Sequence, residues 1–172
     1  MRYKDLCYAA LGGAVICLLA PISIPAGAVP ISLSLLAVLV VAAILPPKLA
    51  TLSVLCYIAL GAIGAPVFAG FTGGFQIIIG PMGGFIIGYI PAALIVSLFA
   101  KSKAKLWISM TLSAILCYIL GIFWFSFSTN TGLFTALQTI LLTCAVPDAL
   151  KIAAASLLAK AINKRINPKE VI

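Results

Sequence analysis

An aspartate and a lysine lie inside the last apolar segment of the chain, and they are the residues best placed to do chemistry. Asp148 and Lys151 belong to the stretch VPDALK at 146–151, and side chains at positions i and i+3 of a helix share one face. A charge at membrane depth costs roughly 2.5–3.5 kcal/mol, so ionisable residues there are rare and usually functional. We therefore expect this pair either to hold a polar ligand or to form a self-neutralising buried pair that fixes helix packing.

The sequence offers few other chemical groups. The 172 residues include no histidine, which excludes imidazole metal sites and Ser-His or Cys-His nucleophiles. Five widely spaced cysteines lie in apolar runs without a CxxC pair, so we expect them to act as small hydrophobic side chains. A GxxxxGK[ST] loop for nucleotide phosphates is also absent. The chain is therefore expected to use no metal and no organic cofactor.

The composition is that of a membrane protein. Hydrophobic residues make up 64% of the chain and charged residues 8%, whereas soluble domains carry about 25% charged residues. Several apolar runs approach the length of a membrane span, about 18 residues or more. We predict one integral-membrane domain, residues 1–172, surrounded by lipid, with no cleavable signal peptide. The net charge of +8 is explained by membrane topology, and no nucleic-acid partner is expected.

Six apolar segments divide the chain. They run from about 6 to 20, 31 to 45, 49 to 63, 75 to 100, 106 to 125 and 133 to 162. Three prolines between 21 and 30 forbid helix in the first connection. The last segment is longer than one span needs, and Pro147 divides it. Either one kinked helix runs through this proline, or a short outer segment precedes a helix that starts there.

The basic residues predict the topology. Ten of the eleven lie before the first segment, in every second connection, or at and beyond the end of the last segment: Arg2, Lys4, Lys48, Lys101, Lys103, Lys105, Lys160, Lys164, Arg165 and Lys169. The opposite connections, around 21–30, 64–74 and 126–132, carry no charge. The positive-inside rule then places both termini in the cytoplasm. We predict an all-α membrane protein, a compact bundle of six transmembrane helices, with the Asp-Lys pair in the outer part of the last.

Glycines mark two further features. The Gly-rich connection 64–74 is interpreted either as a lid over a pocket or as a simple connector. The Gly80–Gly84 stretch interrupts a membrane segment, and neighbouring residues must satisfy the backbone groups that it frees. This favours a position facing protein, as does the stripe of Gly80, Gly84 and Gly88 on one helix face.

The first segment carries small residues at helical spacing. Ala10-xxx-Ala14 and Gly13-xxx-Cys17 are predicted to form one face that lets another helix approach closely. That helix belongs either to a partner protein or to this bundle.

Several motifs occur in a characteristic order: PISLSL at 30–35, a block from Tyr57 to Tyr89 rich in Gly and Pro, and Pro147-Asp148-x-x-Lys151. This order resembles that of the biotin-binding substrate components, the BioY family, of energy-coupling factor (ECF) vitamin transporters. The sequence departs from the family's usual pattern at Ser34, where glutamine is frequent, and at Met82, where threonine is frequent.

The resemblance implies a transporter subunit and not an enzyme. It implies a six-helix bundle in a bacterial-type cell membrane that captures biotin with high affinity on the outer side for uptake. It also implies association with a transmembrane coupling protein and two ATPase subunits. By analogy with the family, Ala10 and Ala14 belong to the coupling surface.

Biotin suits the residues of the proposed pocket. It carries a carboxylate, a neutral ureido ring with two N–H donors, and an apolar chain. We hypothesise that Lys151 pairs with the carboxylate or with the ureido oxygen, and that Asp148 accepts a ureido N–H or keeps Lys151 charged. The other candidate binding residues are Ser34, Tyr57, Phe68 and Tyr89, although aromatic residues at such spacing also occur in ordinary cores.

There are three rival functions, one of them also in transport and two of other classes. A substrate component for another vitamin, such as thiamin, would share the fold and bind a different ligand. A membrane-embedded enzyme using Asp148 or Cys144 would turn its ligand over, but the chain offers few acid-base partners. A structural packing subunit would bind no small molecule tightly.

Overall fold

The computed structural model describes residues 3–25, 29–100 and 103–165. Arg2, Lys101 and Lys169 of the predicted topology lie outside these ranges, and so do the side chains of Lys103 and Arg165. The described elements, in chain order, are α1 (Tyr3–Leu19), β1 (Ser23–Ile24), β2 (Ile31–Ser32), α2 (Ser34–Ile44), α3 (Pro47–Ala62), α4 (Phe75–Ile79), α5 (Gly83–Phe99), α6 (Lys103–Thr129) and α7 (Leu133–Arg165).

Each predicted apolar segment contains a helix, with two differences from the expected boundaries. Segment two begins with a short strand, β2, that pairs antiparallel with β1 before α2 starts at Ser34. Segment four is divided into α4 and α5 by Gly80–Met82. The all-helical bundle thus follows the order of the apolar runs, with a small strand pair in the proline-rich connection.

The last segment is one continuous helix. Residues 133–165 form α7, with Pro147 inside it, so the alternative of a helix that starts at this proline is wrong. At 1.5 Å per residue α7 is about 50 Å long, more than the roughly 30 Å of a bilayer's hydrocarbon core. Asp148 and Lys151 consequently lie near the middle of α7 and not at its start.

Two of the described helices meet the length and hydropathy of a membrane span. They are the apolar parts of α6 and α7, Lys105–Thr129 and Leu133–Lys164, while α2, α3 and α5 are apolar but shorter. Many large apolar side chains face outward, as the 83% exposed Leu142 and the 74% exposed Leu18 illustrate. Outward-facing apolar side chains on apolar helices are what a lipid environment requires.

The connections without charge meet at one end of the bundle. The backbone N–H of Gly70 donates to the carbonyl oxygen of Pro21 at 3.0 Å. Val29 is buried in a cluster with Phe125 near the end of α6 and Ala136 near the start of α7. All three connections that carry no charge are therefore close to one another.

Lysine-bearing segments meet at the other end. The Asn163 side-chain amide donates to the carbonyl oxygen of Ala43 at 3.2 Å, which ties the end of α7 to the end of α2. The Lys160 ammonium lies 5.7 Å from the ring centroid of Trp107, near the start of α6. This separation of charged and uncharged ends matches the one predicted from the basic residues.

The break between α4 and α5 is stabilised by α6. The indole N–H of Trp124 donates to the carbonyl oxygen of Gly80 at 2.9 Å, so α6 satisfies a backbone group near the break. A Cβ atom at Gly84 would collide with Trp124 and with the backbone of α6, and one at Gly88 would press on Cys117. The predicted protein-facing position is confirmed for Gly84 and Gly88, whereas Gly80 lies in the break before α5 and does not share a helix face with them.

The small residues of α1 point in two directions. The Ser53 hydroxyl of α3 donates to the carbonyl oxygen of Ala9 at 2.9 Å, and Gly13 lies against the backbone of Ser53. Ala10 and Ala14, in contrast, are exposed. The predicted single face is therefore wrong: Gly13 packs inside the bundle, and the two alanines lie on the outer surface.

Candidate functional site

A cavity of about 240 Å³ lies between the helices and the connections of the uncharged end. This volume is many times the roughly 10–15 Å³ that a cavity needs to hold one water molecule. The cavity is lined by residues that come from α2, α3, α4, α5, α7, the β1–β2 region, the 64–74 connection and the break before α5: Val29, Pro30, Ile31, Ser32, Ser34, Leu35, Tyr57, Phe68, Ala69, Thr72, Ile77, Met82, Phe85, Ile86, Tyr89, Cys144, Asp148 and Lys151.

All six residues that the sequence proposed for ligand binding line this one cavity. They are spread over more than 110 positions of the chain, from Ser34 to Lys151. Tyr57 and Phe68 are each 1% exposed, and the others are buried or half-buried: Ser34, Tyr89, Asp148 and Lys151. The fold brings these residues together, and their spacing along the chain does not predict that they meet.

Asp148 and Lys151 form the charged part of the wall. The Lys151 Nζ atom lies 2.6 Å from Asp148 Oδ1, and the two side chains are only 10% and 14% exposed, respectively. An ammonium group has three N–H donors and a carboxylate has about four acceptor positions. The pair therefore neutralises itself and keeps hydrogen-bonding capacity for a ligand in the adjoining cavity.

The carboxylate has a second partner that the sequence analysis missed. The hydroxyl of Tyr118, on α6, donates to Asp148 Oδ2 at 2.7 Å. Both oxygens of the carboxylate are thus hydrogen-bonded, one within α7 and one from a neighbouring helix. Thirty residues separate the two positions, and no local pattern in the sequence links them.

Another part of the wall is aromatic. Tyr57 and Phe68 meet edge to face, with ring centroids 5.5 Å apart and an interplanar angle of 88°. Gly61, one helical turn after Tyr57, leaves the space that the Phe68 ring fills, because a Cβ atom there would collide with that ring. The aromatic residues serve as cavity wall and bundle core at once, so the two interpretations of them are compatible.

The Gly-rich connection 64–74 is part of the cavity wall. Phe68, Ala69 and Thr72 line the cavity, and the N–H of Phe68 donates to the carbonyl oxygen of Thr72 at 2.9 Å. The N–H of Gly74 donates to the carbonyl oxygen of Gly61 at 2.7 Å, which fixes the connection to α3. The segment is thus more than a connector, since it supplies one side of the site.

Ser34 supplies a hydroxyl where α2 begins. It is 3% exposed, and its Oγ lies 2.9 Å from the Oγ of Ser32. Met82, the second departure from the usual family pattern, also lines the cavity. Both departures therefore fall on residues that border the same space.

Cys144 and Phe85 also border the cavity, and the sequence analysis did not include them in the binding site. Cys144 precedes Asp148 by four residues, so the i,i+4 rule places both on one face of α7. That spacing was an available signal. Phe85 follows the helix break, and its position depends on how α5 packs against α6.

The sequence of this chain is similar to those of known proteins. The sequence profile of the BioY family matches residues 1–168. A probable biotin transporter BioY from Pyrococcus horikoshii is 35% identical over 160 residues, covering 93% of this chain and 96% of the relative. Biotin transporter BioY2 from Lactococcus lactis is 34% identical over 141 residues, covering 80% and 78%.

A solved structure has a similar fold. The crystal structure of the S-component for biotin from an ECF-type ABC transporter superposes with a TM-score of 0.89 at 28% sequence identity. The match covers 99% of this chain and 98% of that one.

Proposed function

The chain belongs to the BioY family, and on that premise we propose that it is the substrate-binding component that captures biotin for uptake through an ECF-type transporter. Relatives named as biotin transporters cover most of the chain, and the matching fold is that of a biotin S-component. The family consists of transporter components and not of enzymes, so a membrane enzyme using Asp148 or Cys144 is not favoured.

The observation that carries the proposal is the convergence of six residues, predicted as biotin ligands from the sequence, on one cavity. The cavity joins an ion pair on α7 to aromatic and aliphatic walls. Biotin combines a carboxylate and a polar ureido ring with an apolar chain. A mostly apolar wall with a few polar groups at defined positions is typical of sites that bind small molecules.

We assign Asp148 and Lys151 the polar contacts with biotin. Asp148 accepts a ureido N–H, and Lys151 binds the carboxylate or the ureido oxygen. Ser34 adds a hydroxyl, and Tyr57, Phe68 and Tyr89 enclose the apolar part. No metal or organic cofactor takes part.

The proposed topology has six spans in the cell membrane, within a single domain of residues 1–172. The basic end of the bundle faces the cytoplasm with both termini, and the uncharged connections face outward. The clustering of those connections at one end of the bundle supports this arrangement. Reporter fusions after residues 25, 70, 102 and 130 would test it, with 102 expected to be cytoplasmic and the others external.

The partners are inferred to be a transmembrane coupling protein and two ATPase subunits. The exposed Ala10 and Ala14 of α1 support this proposal, because small outward-facing residues allow a partner helix to approach closely.

Equilibrium binding of labelled biotin to the protein purified in detergent tests the function. We expect one saturable site, competition by unlabelled biotin and none by thiamin, and unchanged ligand after prolonged incubation. Tight binding of thiamin in place of biotin would identify a component for another vitamin. Failure to bind any vitamin would favour a packing subunit.

A further inference from the structure

We propose that Tyr118 is a positioning residue of the biotin site, and that α6 contributes to ligand affinity by fixing the Asp148 carboxylate through the Tyr118 hydroxyl. This inference rests on the proposed function of the site. None of the residues lining the cavity belongs to the described part of α6. The helix nevertheless reaches the charged pair, because the Tyr118 hydroxyl donates to Asp148 Oδ2 at 2.7 Å.

The two hydrogen bonds of Asp148 come from different helices and constrain its carboxylate differently. Lys151 contacts Oδ1 from the same helix, three residues away, and an intrahelical partner moves with the helix that carries it. Tyr118 contacts Oδ2 from another helix and so sets the orientation of the carboxylate relative to the rest of the bundle. A carboxylate held in this way is already oriented for a ligand N–H, and less conformational freedom is lost when the ligand binds.

The tyrosine is itself held by packing. Its ring meets that of Phe85 edge to face, with centroids 6.3 Å apart and an interplanar angle of 87°. Phe85 lines the cavity, and it fits against α6 because Gly121 has no Cβ atom that would strike its ring. The close contact between α5 and α6 therefore determines where the Tyr118 hydroxyl lies.

A small second cavity lies beside this tyrosine. Its volume is about 30 Å³, and Asp148 and Tyr118 lie in its wall with Cys117 and Tyr89. It is large enough for one or two water molecules but not for a biotin ring. The hydroxyl of Tyr118 thus acts on the ligand through Asp148 and not by direct contact.

The test measures biotin affinity and the state of the carboxylate separately. Tyr118→Phe removes one oxygen atom and keeps the ring, and we expect about a tenfold loss of biotin affinity, since a hydrogen bond to a charged group is lost. Tyr8→Phe is the matched control, because Tyr8 is also half-buried and is not among the residues that line the cavity. Its affinity should equal that of the unmodified protein.

The carboxylate can be observed directly, because the sequence contains only two aspartates, Asp5 and Asp148. In protein labelled with carbon-13 at the aspartate carboxyl, Asp148→Asn identifies the Asp148 signal by its loss. We expect Tyr118→Phe to shift that signal in the absence of biotin and Tyr8→Phe to leave it in place. An unshifted signal would show that the hydrogen bond is absent and would overturn the proposal.

A double-variant comparison tests whether Tyr118 affects biotin affinity through Asp148. In an Asp148→Ala background, adding Tyr118→Phe should change the dissociation constant for biotin by less than about twofold. The carboxylate that Tyr118 positions is then already absent, and the effects of substitutions at two coupled residues do not add. The positioning role would be overturned if Tyr118→Phe reduced biotin affinity as much in the Asp148→Ala background as in the unmodified protein. Full affinity in the single Tyr118→Phe variant would overturn it as well. Failure of the unmodified protein to bind biotin would instead refute the proposed function on which the inference rests.

Discussion

The Lys151 ammonium lies 2.6 Å from the Asp148 carboxylate, one helical turn away on α7, and both groups face the cavity that the other predicted ligand residues line. Removing one partner of a buried ion pair leaves an uncompensated charge, which costs more than the pair itself contributes. We therefore expect ligand binding in this cavity to be sensitive to single substitutions of either residue.

Lys151→Ala should weaken biotin binding by roughly 10- to 100-fold, because a charge-assisted hydrogen bond contributes about 1.5–3 kcal/mol. Lys160→Ala, on the same helix but at the opposite end from the uncharged connections, is the control and should bind normally. Comparing biotin with biotinamide separates the two proposed contacts. A loss confined to biotin assigns Lys151 to the carboxylate, and an equal loss for both ligands assigns it to the ureido oxygen. Unchanged affinity for biotin would remove Lys151 from the site.

Trp124→Phe should lower the stability of the bundle by about 1–3 kcal/mol, because the carbonyl oxygen of Gly80 loses its indole donor. The measurement is the thermal unfolding midpoint in detergent. Trp107→Phe is the matched control, since Trp107 is 39% exposed and its contact with Lys160 contributes only about 0.5–1 kcal/mol. Equal midpoints for the two variants would contradict the role given to Trp124.

Gly61→Ala should reduce biotin affinity by roughly 5- to 100-fold, because the new methyl group would displace the Phe68 ring from the cavity wall and overpacking costs about 1–3 kcal/mol. Gly132→Ala is the control, since the nearest atom to a Cβ there is the Thr135 hydroxyl at 3.9 Å. Normal affinity in Gly61→Ala protein would mean that the position of the Phe68 ring does not matter for binding.

Ser34 and Ser53 are both buried serines with opposite expected phenotypes. Ser34→Ala should weaken biotin binding about 2- to 10-fold with little change in stability, because its hydroxyl borders the cavity. Ser53→Ala should lower stability by about 0.5–1.5 kcal/mol and leave affinity unchanged, because its hydroxyl joins α3 to α1. Titrations and unfolding midpoints of both variants provide the comparison. A Ser34 variant that loses stability and keeps its affinity would reverse the assignment.

Ala10→Trp combined with Ala14→Trp should abolish association with the coupling protein and ATPase subunits while biotin binding stays normal, because both alanines are exposed on α1 and bulky side chains keep helices apart. Co-purification of the subunits and uptake of labelled biotin are the measurements. Ala145→Trp on α7, which is also exposed, should leave both unchanged. Normal co-purification of the double variant would place the coupling surface elsewhere.

The sequence was most informative where a residue's role depends on near neighbours. The i,i+3 spacing of Asp148 and Lys151 predicted their contact, and the glycine stripe of the fourth segment predicted packing against protein. The apolar runs identified the helices because hydrophobic length is a direct consequence of the lipid environment.

The remaining features depend on tertiary packing. The contact of Tyr118 with Asp148 joins residues 30 positions apart, and no periodicity in the sequence encodes it. The sequence likewise does not decide whether a helix starts at Pro147 or runs through it, because the preceding turn and neighbouring helices can tolerate the lost hydrogen bond. The position of α3 also decides which small residues of α1 are buried, since Gly13 packs against it and Ala10 and Ala14 do not.

The short distance between the ammonium and carboxylate of α7 has an electrical consequence. Because the opposite charges cancel locally, the empty site presents no net charge to the voltage across the membrane. Biotin is an anion at neutral pH, so the net charge of the occupied site is the charge of the vitamin itself. Moving one elementary charge across the membrane changes the free energy by about 2.3 kcal/mol for each 100 mV. Loaded and empty forms of the protein should therefore respond differently to membrane polarisation.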